Sequence, residues 1–434
     1  MRAETLFCVR LLDKTAAQQC YTNLALDAAL RDSNLQPPEK RRAAALYYGV
    51  MERQLTLAHI LRGYSKKPPE KLDASVRHLL YCGLYQLLYM QIPPNAVVND
   101  CVGLTKPLRY GSASGFVNAV LRSFLRDDRQ IRYPKDPDAA AGIRYSAPLW
   151  LVKKLRAEYG DAVMESLLSD ALGRAPVMLR RNPLAGDANA FLRDLDGLEA
   201  TPVAVLPDCW QLQGGDVTGT TAFQRGALHV QDLASQLCCH ALGVQPGETV
   251  LDVCAAPGGK SFTLAELMQG TGTVSAFDLH EKRVKLIADG AARLGLSNVR
   301  AAVGDASVYQ PELPMADRIL CDVPCSGLGV IRRKPEIKYK DPDAFAGLPA
   351  VQLQILETAS HYLKPGGTLL YSTCTLSRAE NDAVVDRFLE THPDFAAAAD
   401  LDTLGVGLQG WKATLYPALL GSDGFFFAKL KRLE

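Results

Sequence analysis

The sequence predicts a multidomain chain of three parts: an all-α region over residues 1–135, a small α+β module over 145–225 and an α/β domain over 226–434. Three observations predict it. In the first third, apolar residues recur every three or four positions, the spacing of one buried helix face. Between 145 and 225, helical stretches give way to short β-rich runs. Beyond 226, β-rich runs and helical segments alternate, which implies a parallel, doubly wound sheet with ligands at the carboxyl ends of its strands. A length of 434 residues accommodates these as separate domains.

In the first part, Val76, Leu79, Leu80, Gly83, Leu84, Leu87 and Leu88 form a stripe wide enough to be buried. Pro37-Pro38, Pro68-Pro69 and Pro93-Pro94 punctuate the helices, because proline restricts the residue before it to extended geometry. A further helix begins near Ser114 and places Arg122, Arg126 and Arg129 on neighbouring turns. Residues 133–138, rich in proline and aspartate, read as a linker. In the module, helices are expected over 149–159 and 162–172, and strands over 177–180 and within 201–212. In the last part, strands are expected over 249–253, 274–277, 299–303, 318–321 and 368–371. Helices are expected over 261–268, 281–294, 351–363 and 378–389.

A hydrophobic content of 48% and a charged content of 22% are those of a globular protein. The net charge of +1 conceals +8 over residues 1–144 and −7 over the remainder. A basic first third suggests an acidic partner, most simply nucleic acid; a solvated basic surface is the plainer alternative. Eleven cysteines without regular spacing suit a reducing cytosol rather than a disulfide framework. Met1-Arg2-Ala3-Glu4 lacks the pattern of a signal peptide, and the apolar run 79–90 is too short to span a bilayer. The expectation is a cytoplasmic monomer with no membrane segment.

Cys254-Ala255-Ala256-Pro257-Gly258-Gly259-Lys260 follows a strand ending at Asp252. It is neither the dinucleotide fingerprint nor a P-loop, so the ligand it cradles need not carry phosphates. Asp278 and Asp305 close the next two strands. A carboxylate at the second strand end can bind ribose hydroxyls, and one at the third can accept from an adenine amino group. Taken alone each Asp is more simply a helix cap. Asp252, Asp278 and Asp305 at three successive strand ends suit an adenosine-containing ligand such as S-adenosylmethionine.

Two further strand ends carry thiols, in Asp322-Val323-Pro324-Cys325 and Ser372-Thr373-Cys374. A pyrimidine ring becomes nucleophilic at C5 only after C6 has been attacked, and a thiolate is the side chain suited to that attack. Such chemistry needs one attacking cysteine, an acid near N3, for which Asp322 is suited, and a group that assists release. The residues alone do not decide which cysteine attacks. Cys8, Cys20, Cys82, Cys101, Cys209 and Cys321 read as small core residues. Cys238-Cys239-His240 has no second ligand pair spaced to match, so no metal site is assigned.

The run Cys254 to Lys260, Pro324-Cys325-Ser326-Gly327 followed by Gly329-Val330-Ile331-Arg332-Arg333-Lys334-Pro335-Glu336, and Thr373-Cys374-Thr375 resemble the Sun-type RNA cytosine-C5 methyltransferases. The resemblance covers nearly the whole chain. Gly83 to Leu87, Ile92-Pro93-Pro94 and Val117 to Arg122 are similar to the NusB-like RNA-binding domain, and Gly424 to Ala428 to the family's closing strand. It implies a Rossmann-like, S-adenosylmethionine-dependent domain acting on 16S ribosomal RNA, at cytosine 967. It also implies that Cys374 is the nucleophile, that Cys325 assists product release, and that Asp322 contacts the base. Cys254, Ala255, Ala256, Pro257, Gly258, Gly259, Lys260, Asp278, Asp305 and Asp322 would line cofactor and base. DNA cytosine methyltransferases attack instead from a Pro-Cys motif, which makes Cys325 the rival nucleophile. Val323 stands where the family often has Ala. Two other readings are a methyltransferase acting on another atom, with both cysteines structural, and a non-catalytic RNA-binding or antitermination factor.

Overall fold

The computed structural model describes residues 3–18 and 22–434, so Cys20 lies outside the described residues. The chain divides into two compact units, residues 1–174 with 331–340, and residues 175–330 with 341–434.

The first unit is helical. Its centre is the helix Ala74–Tyr89, in which Val76, Leu79, Leu80, Cys82, Gly83, Leu84 and Leu87 are all buried. The stripe seen in the sequence is therefore the core face, with Leu88 partly buried at its margin. Gly83 allows a close approach. A β-carbon there would stand 3.1 Å from Cys101 Sγ and from both methyls of Leu121. The proline pairs mark helix starts as well as stops, since Pro37 opens Pro37–Glu52 and Pro94 opens Pro94–Leu104. Ser114–Arg126 carries Arg122 and Arg126 on exposed positions, but Arg129 lies beyond its end at φ 58°. Arg129 donates instead to Leu87 O at 3.1 Å, a cation at the C-terminal end of the central helix.

Residues 331–340 join this unit although the chain on both sides belongs to the other. Thr22 Oγ1 donates to Glu336 Oε2 at 2.6 Å, while Lys338 Nζ and Tyr339 Oη both donate to Glu52 O, at 2.7 and 2.9 Å. Lys338 is fully buried, and that burial pulls its pKa down to about 7.

The second unit begins with a four-stranded antiparallel sheet, β1 (Val177–Arg181), β2 (Ala200–Pro202), β3 (Cys209–Leu212) and β4 (Leu228–Val230), in the order β2-β3-β1-β4. Before it, the run Leu149–Asp170 is interrupted at Gly160, φ 79°, into the two helices that the sequence suggests. Arg180 of β1 is buried and donates to Glu266 Oε2 at 3.0 Å, an ion pair with both side chains out of water.

The large sheet comprises β5 (Thr249–Asp252), β6 (Thr273–Asp278), β7 (Val299–Val303), β8 (Ala316–Asp322), β9 (Leu363–Thr373), β10 (Phe395–Ala397), β11 (Lys412–Leu415) and β12 (Phe425–Arg432). Their order is β10-β12-β9-β8-β5-β6-β7, with β11 paired to β12. β5 to β9 run parallel, as expected. The expectation of a wholly parallel sheet is corrected at the other edge, where β12 runs antiparallel to β9, β10 and β11. Residues 416–424 between β11 and β12 are too few for a crossover, so the chain must return as an antiparallel neighbour. The order reverses between β5 and β8, which opens a crevice at their carboxyl ends. Among the described residues no helix is long and apolar enough to cross a membrane.

Candidate active site

The glycine-rich turn leaves β5 and enters the helix Gly259–Leu267. Gly258 turns the chain at φ 108°, and a β-carbon there would overlap the Phe262 ring. The turn is fixed by its own backbone. Ala255 N donates to Phe277 O at 2.7 Å, Gly258 N donates to Ala255 O at 2.8 Å, and Arg283 Nη2 donates to Ala256 O at 2.9 Å. The first N–H groups of the helix have no partner within it and lie at its positive end.

Asp278, at the end of β6, is buried. Its Oδ1 accepts from His280 N at 3.1 Å, and its Oδ2 lies 3.2 Å from Arg283 Nη1. Asp305, just past β7, is exposed and accepts from Ser307 Oγ and Ser307 N at 2.6 and 2.9 Å, bonds that lower its pKa. It lines a recess together with Val253, Phe277, Gly304 and Ala306. An apolar wall, a carboxylate at the rim and a side-chain-free turn suit a neutral nucleoside, so the residues fit S-adenosylmethionine. Asp252 does not join the other two acids. It is fully buried, takes the Ser261 hydroxyl at 2.6 Å, and is pushed by burial to a pKa of about 7.

β8 and β9 are parallel neighbours with Asp322 opposite Ser372. The loops that leave them therefore start side by side, and they bring Cys325 Sγ within 3.3 Å of Cys374 Sγ. Both residues are half-buried. Contact with Cys374, then burial, then the charge of Glu380 push the Cys325 thiol well above the usual range. Asp322 accepts from Lys260 Nζ at 2.7 Å and from Ser372 Oγ at 2.9 Å. Burial disfavours the Lys260 ammonium, yet the neighbouring Asp322 carboxylate outweighs it and raises the pKa. Lys260 Nζ also lies 5.1 Å from the centre of the Phe425 ring. The fold thus pairs Lys260 with Asp322 at the end of β8 and Cys325 with Cys374 in the loops that follow β8 and β9, with Asp278 and Asp305 at or just past the ends of β6 and β7.

Of the other cysteines, Cys8, Cys82, Cys101, Cys209 and Cys321 are buried, as are Cys238 and Cys239. Two features escape sequence reasoning. The Lys260–Asp322 pair joins residues far apart in the chain. Glu380 is 2% exposed and receives bonds from the loop that carries Cys325; as a lone carboxylate outside any motif, it gives no local signal.

Comparison with known proteins agrees with this fold. The 16S rRNA methyltransferase RsmB/F family matches residues 239–431, the NusB family matches 2–126, and the ferredoxin-like domain of RsmF/B-like methyltransferases matches 147–218. The probable ribosomal RNA small subunit methyltransferase B of Bacillus subtilis is 36% identical, with 97% of each chain covered. The ribosomal RNA small subunit methyltransferase B of Sodalis glossinidius is also 36% identical, with 96% of each chain covered. The solved structure of PH0851 superposes with a TM-score of 0.81 at 25% identity over 99% of both chains. A methyltransferase homolog from Pyrococcus horikoshii gives 0.60 at 26%, covering 69% of this chain and all of the other. The fold and these relatives make S-adenosylmethionine the methyl donor. A helical NusB domain, a ferredoxin-like module and a Rossmann-like domain with two thiols at its crevice are thus joined in one chain, which belongs to the 16S rRNA methyltransferase RsmB/F family.

Proposed function

We propose that this protein methylates C5 of a cytosine in 16S ribosomal RNA, cytosine 967 by family resemblance, through a covalent bond between Cys374 and the base. The observation that carries the reading is the pair of thiols 3.3 Å apart, in the loops that leave the neighbouring strand ends Asp322 and Thr373. The Cys374 thiolate adds to C6, and the C5–C6 double bond opens toward C5. Asp322, kept in place by Lys260, faces the polar edge of the base, where N3 takes a proton from water as C6 is attacked and returns it when the double bond re-forms. S-adenosylmethionine supplies the methyl group, and residues 254–260, Asp278 and Asp305 hold it. The C5 proton then leaves to water, the double bond re-forms, and the bond between Cys374 and C6 breaks. Cys325 stays a thiol because its pKa is raised, so it can donate a hydrogen bond to the departing Cys374 sulfur.

The two thiols are told apart by trapping. Cys374→Ala is expected to lose methylation and to form no protein–RNA adduct. Cys325→Ala is expected to attack and transfer methyl, then accumulate an adduct that survives a denaturing gel. An adduct from Cys374→Ala with none from Cys325→Ala reverses the roles. No adduct from either, with methylation intact, ends the covalent reading. Bisulfite mapping of ribosomal RNA from cells with and without the protein tests the target nucleotide.

A further inference from the structure

The residues that follow the two cysteines are tied to one buried carboxylate. Glu380 Oε2 accepts from Ser326 N at 2.8 Å, and Glu380 Oε1 accepts from Ser326 Oγ at 2.6 Å. Ser326 Oγ also lies 2.7 Å from Thr375 Oγ1. The serine has one hydroxyl proton and gives it to the carboxylate, so Thr375 must donate to Ser326. Gln352 Nε2 bridges Glu380 Oε2, at 3.0 Å, and Pro324 O, at 2.9 Å. Glu380 therefore reaches both neighbours of Cys325 and, through one hydroxyl, the residue after Cys374. Its own backbone is fixed as well, because its N donates to Ser377 O at 3.0 Å and its O accepts from Tyr371 Oη at 2.6 Å.

We propose that Glu380 is a positioning residue for both thiols, holding the two cysteine loops at their working separation and placing a fixed negative charge beside Cys325. Its two oxygens accept from three donor groups, Ser326 N, Ser326 Oγ and Gln352 Nε2. The charge has a chemical consequence consistent with the geometry: it disfavours a Cys325 thiolate and so keeps that residue a hydrogen-bond donor. The inference rests on the roles assigned above, and its first readout needs no RNA.

The test is alkylation of the full chain by iodoacetamide across pH, with peptides carrying Cys325 and Cys374 quantified separately by mass spectrometry. Glu380→Gln keeps the shape and one acceptor but removes the charge; Glu380→Asp restores the charge on a shorter stem. In Glu380→Gln the alkylation midpoint of Cys325 is expected to fall by about one pH unit, a roughly tenfold gain in thiolate at a given pH. Glu380→Asp should return it toward the wild type. Single-turnover methylation by Glu380→Gln should slow about tenfold with the RNA KM within about twofold, the pattern of an interaction felt in the transition state. Unchanged midpoints and an unchanged rate in Glu380→Gln overturn the proposal, as does a slow rate that Glu380→Asp fails to restore with midpoints unmoved. If Glu380→Gln does not fold, as read by circular dichroism, Thr375→Val takes its place. It breaks the link to the Cys374 loop alone, and an unchanged methylation rate in that variant also overturns the proposal. Loss of covalent trapping in every variant, the wild type included, would sink the assigned roles while leaving the alkylation result standing.

Discussion

Two aspartates at neighbouring strand ends are both buried, and their partners tell them apart. Asp278 lies against the exposed Arg283 guanidinium, whereas Asp252 takes the Ser261 hydroxyl beneath the glycine-rich turn. Asp278→Ala is expected to weaken S-adenosylmethionine binding by about 1–3 kcal/mol, the cost of leaving hydroxyl groups unpaired. Titration calorimetry showing wild-type affinity removes Asp278 from the ribose site. Asp252 has a folded pKa of about 7 against an ordinary value of 3.8, so the folded chain holds its proton where the unfolded chain has released it. That contribution is fully present below the unfolded value and is lost as pH rises through 7. Asn at this position still accepts from Ser261 but cannot ionise. Relative to Asp252→Asn, the wild type should lose a few kcal/mol of stability as pH rises from about 4 to 8. Urea unfolding at both pH values measures the difference, and parallel profiles would mean that Asp252 is not neutral when buried.

At the scale of elements, the thiol loops depend on a close crossing. Gly329 N donates to Cys374 O at 3.0 Å, and Gly424 N, just before β12, donates to Gly329 O at 2.8 Å. A β-carbon on Gly329 would collide with the Gly424 carbonyl and come within 2.8 Å of Cys374 O. Backbone on both sides cannot swing aside as a side chain would. Gly329→Ala should therefore displace the Cys325 loop and cut methylation by about 10²-fold, the sensitivity expected of misplaced reacting groups. Affinity for S-adenosylmethionine, proposed to lie at the other strand ends, should stay within about twofold. A variant with normal turnover shows that the crossing tolerates the methyl group. How much of this was legible follows from range. The strands that end at Asp278 and Asp322 and the helix Glu281–Leu294 announce themselves by local periodicity, and the thiols by short motifs. The antiparallel β12 and the Glu380 bonds depend on partners distant in sequence, for which no local pattern exists. Arg129 shows the reverse failure: helical spacing continued on paper past Arg126, where the backbone had already turned.

At the scale of the whole molecule, the charge asymmetry separates two kinds of arginine. Residues 1–144 carry +8 and the rest −7, so an RNA partner would be drawn to the first unit. Within it, Arg122 and Arg126 are exposed, and each spends one nitrogen on its own helix, at Asn118 Oδ1 (2.9 Å) and Ser123 Oγ (2.8 Å). Their remaining N–H groups can meet phosphate. Arg129 is exposed too, but spends its one bonded nitrogen on the end of another helix, at the Leu87 carbonyl. Replacing Arg122 and Arg126 with Gln should weaken RNA binding and flatten the plot of log affinity against log salt by about 1–2, because each lost phosphate contact removes a counterion-release contribution. Arg129→Gln should leave that slope in place and instead lower the unfolding midpoint, since it removes a cation from a helix C-terminus, worth about 0.3–1 kcal/mol. Filter binding at several salt concentrations, with urea unfolding of the same variants, separates the two. A slope unchanged in the double variant would move the RNA footprint off this helix. A slope that falls for Arg129→Gln would mean that its bond to Leu87 gives way to phosphate when RNA is bound.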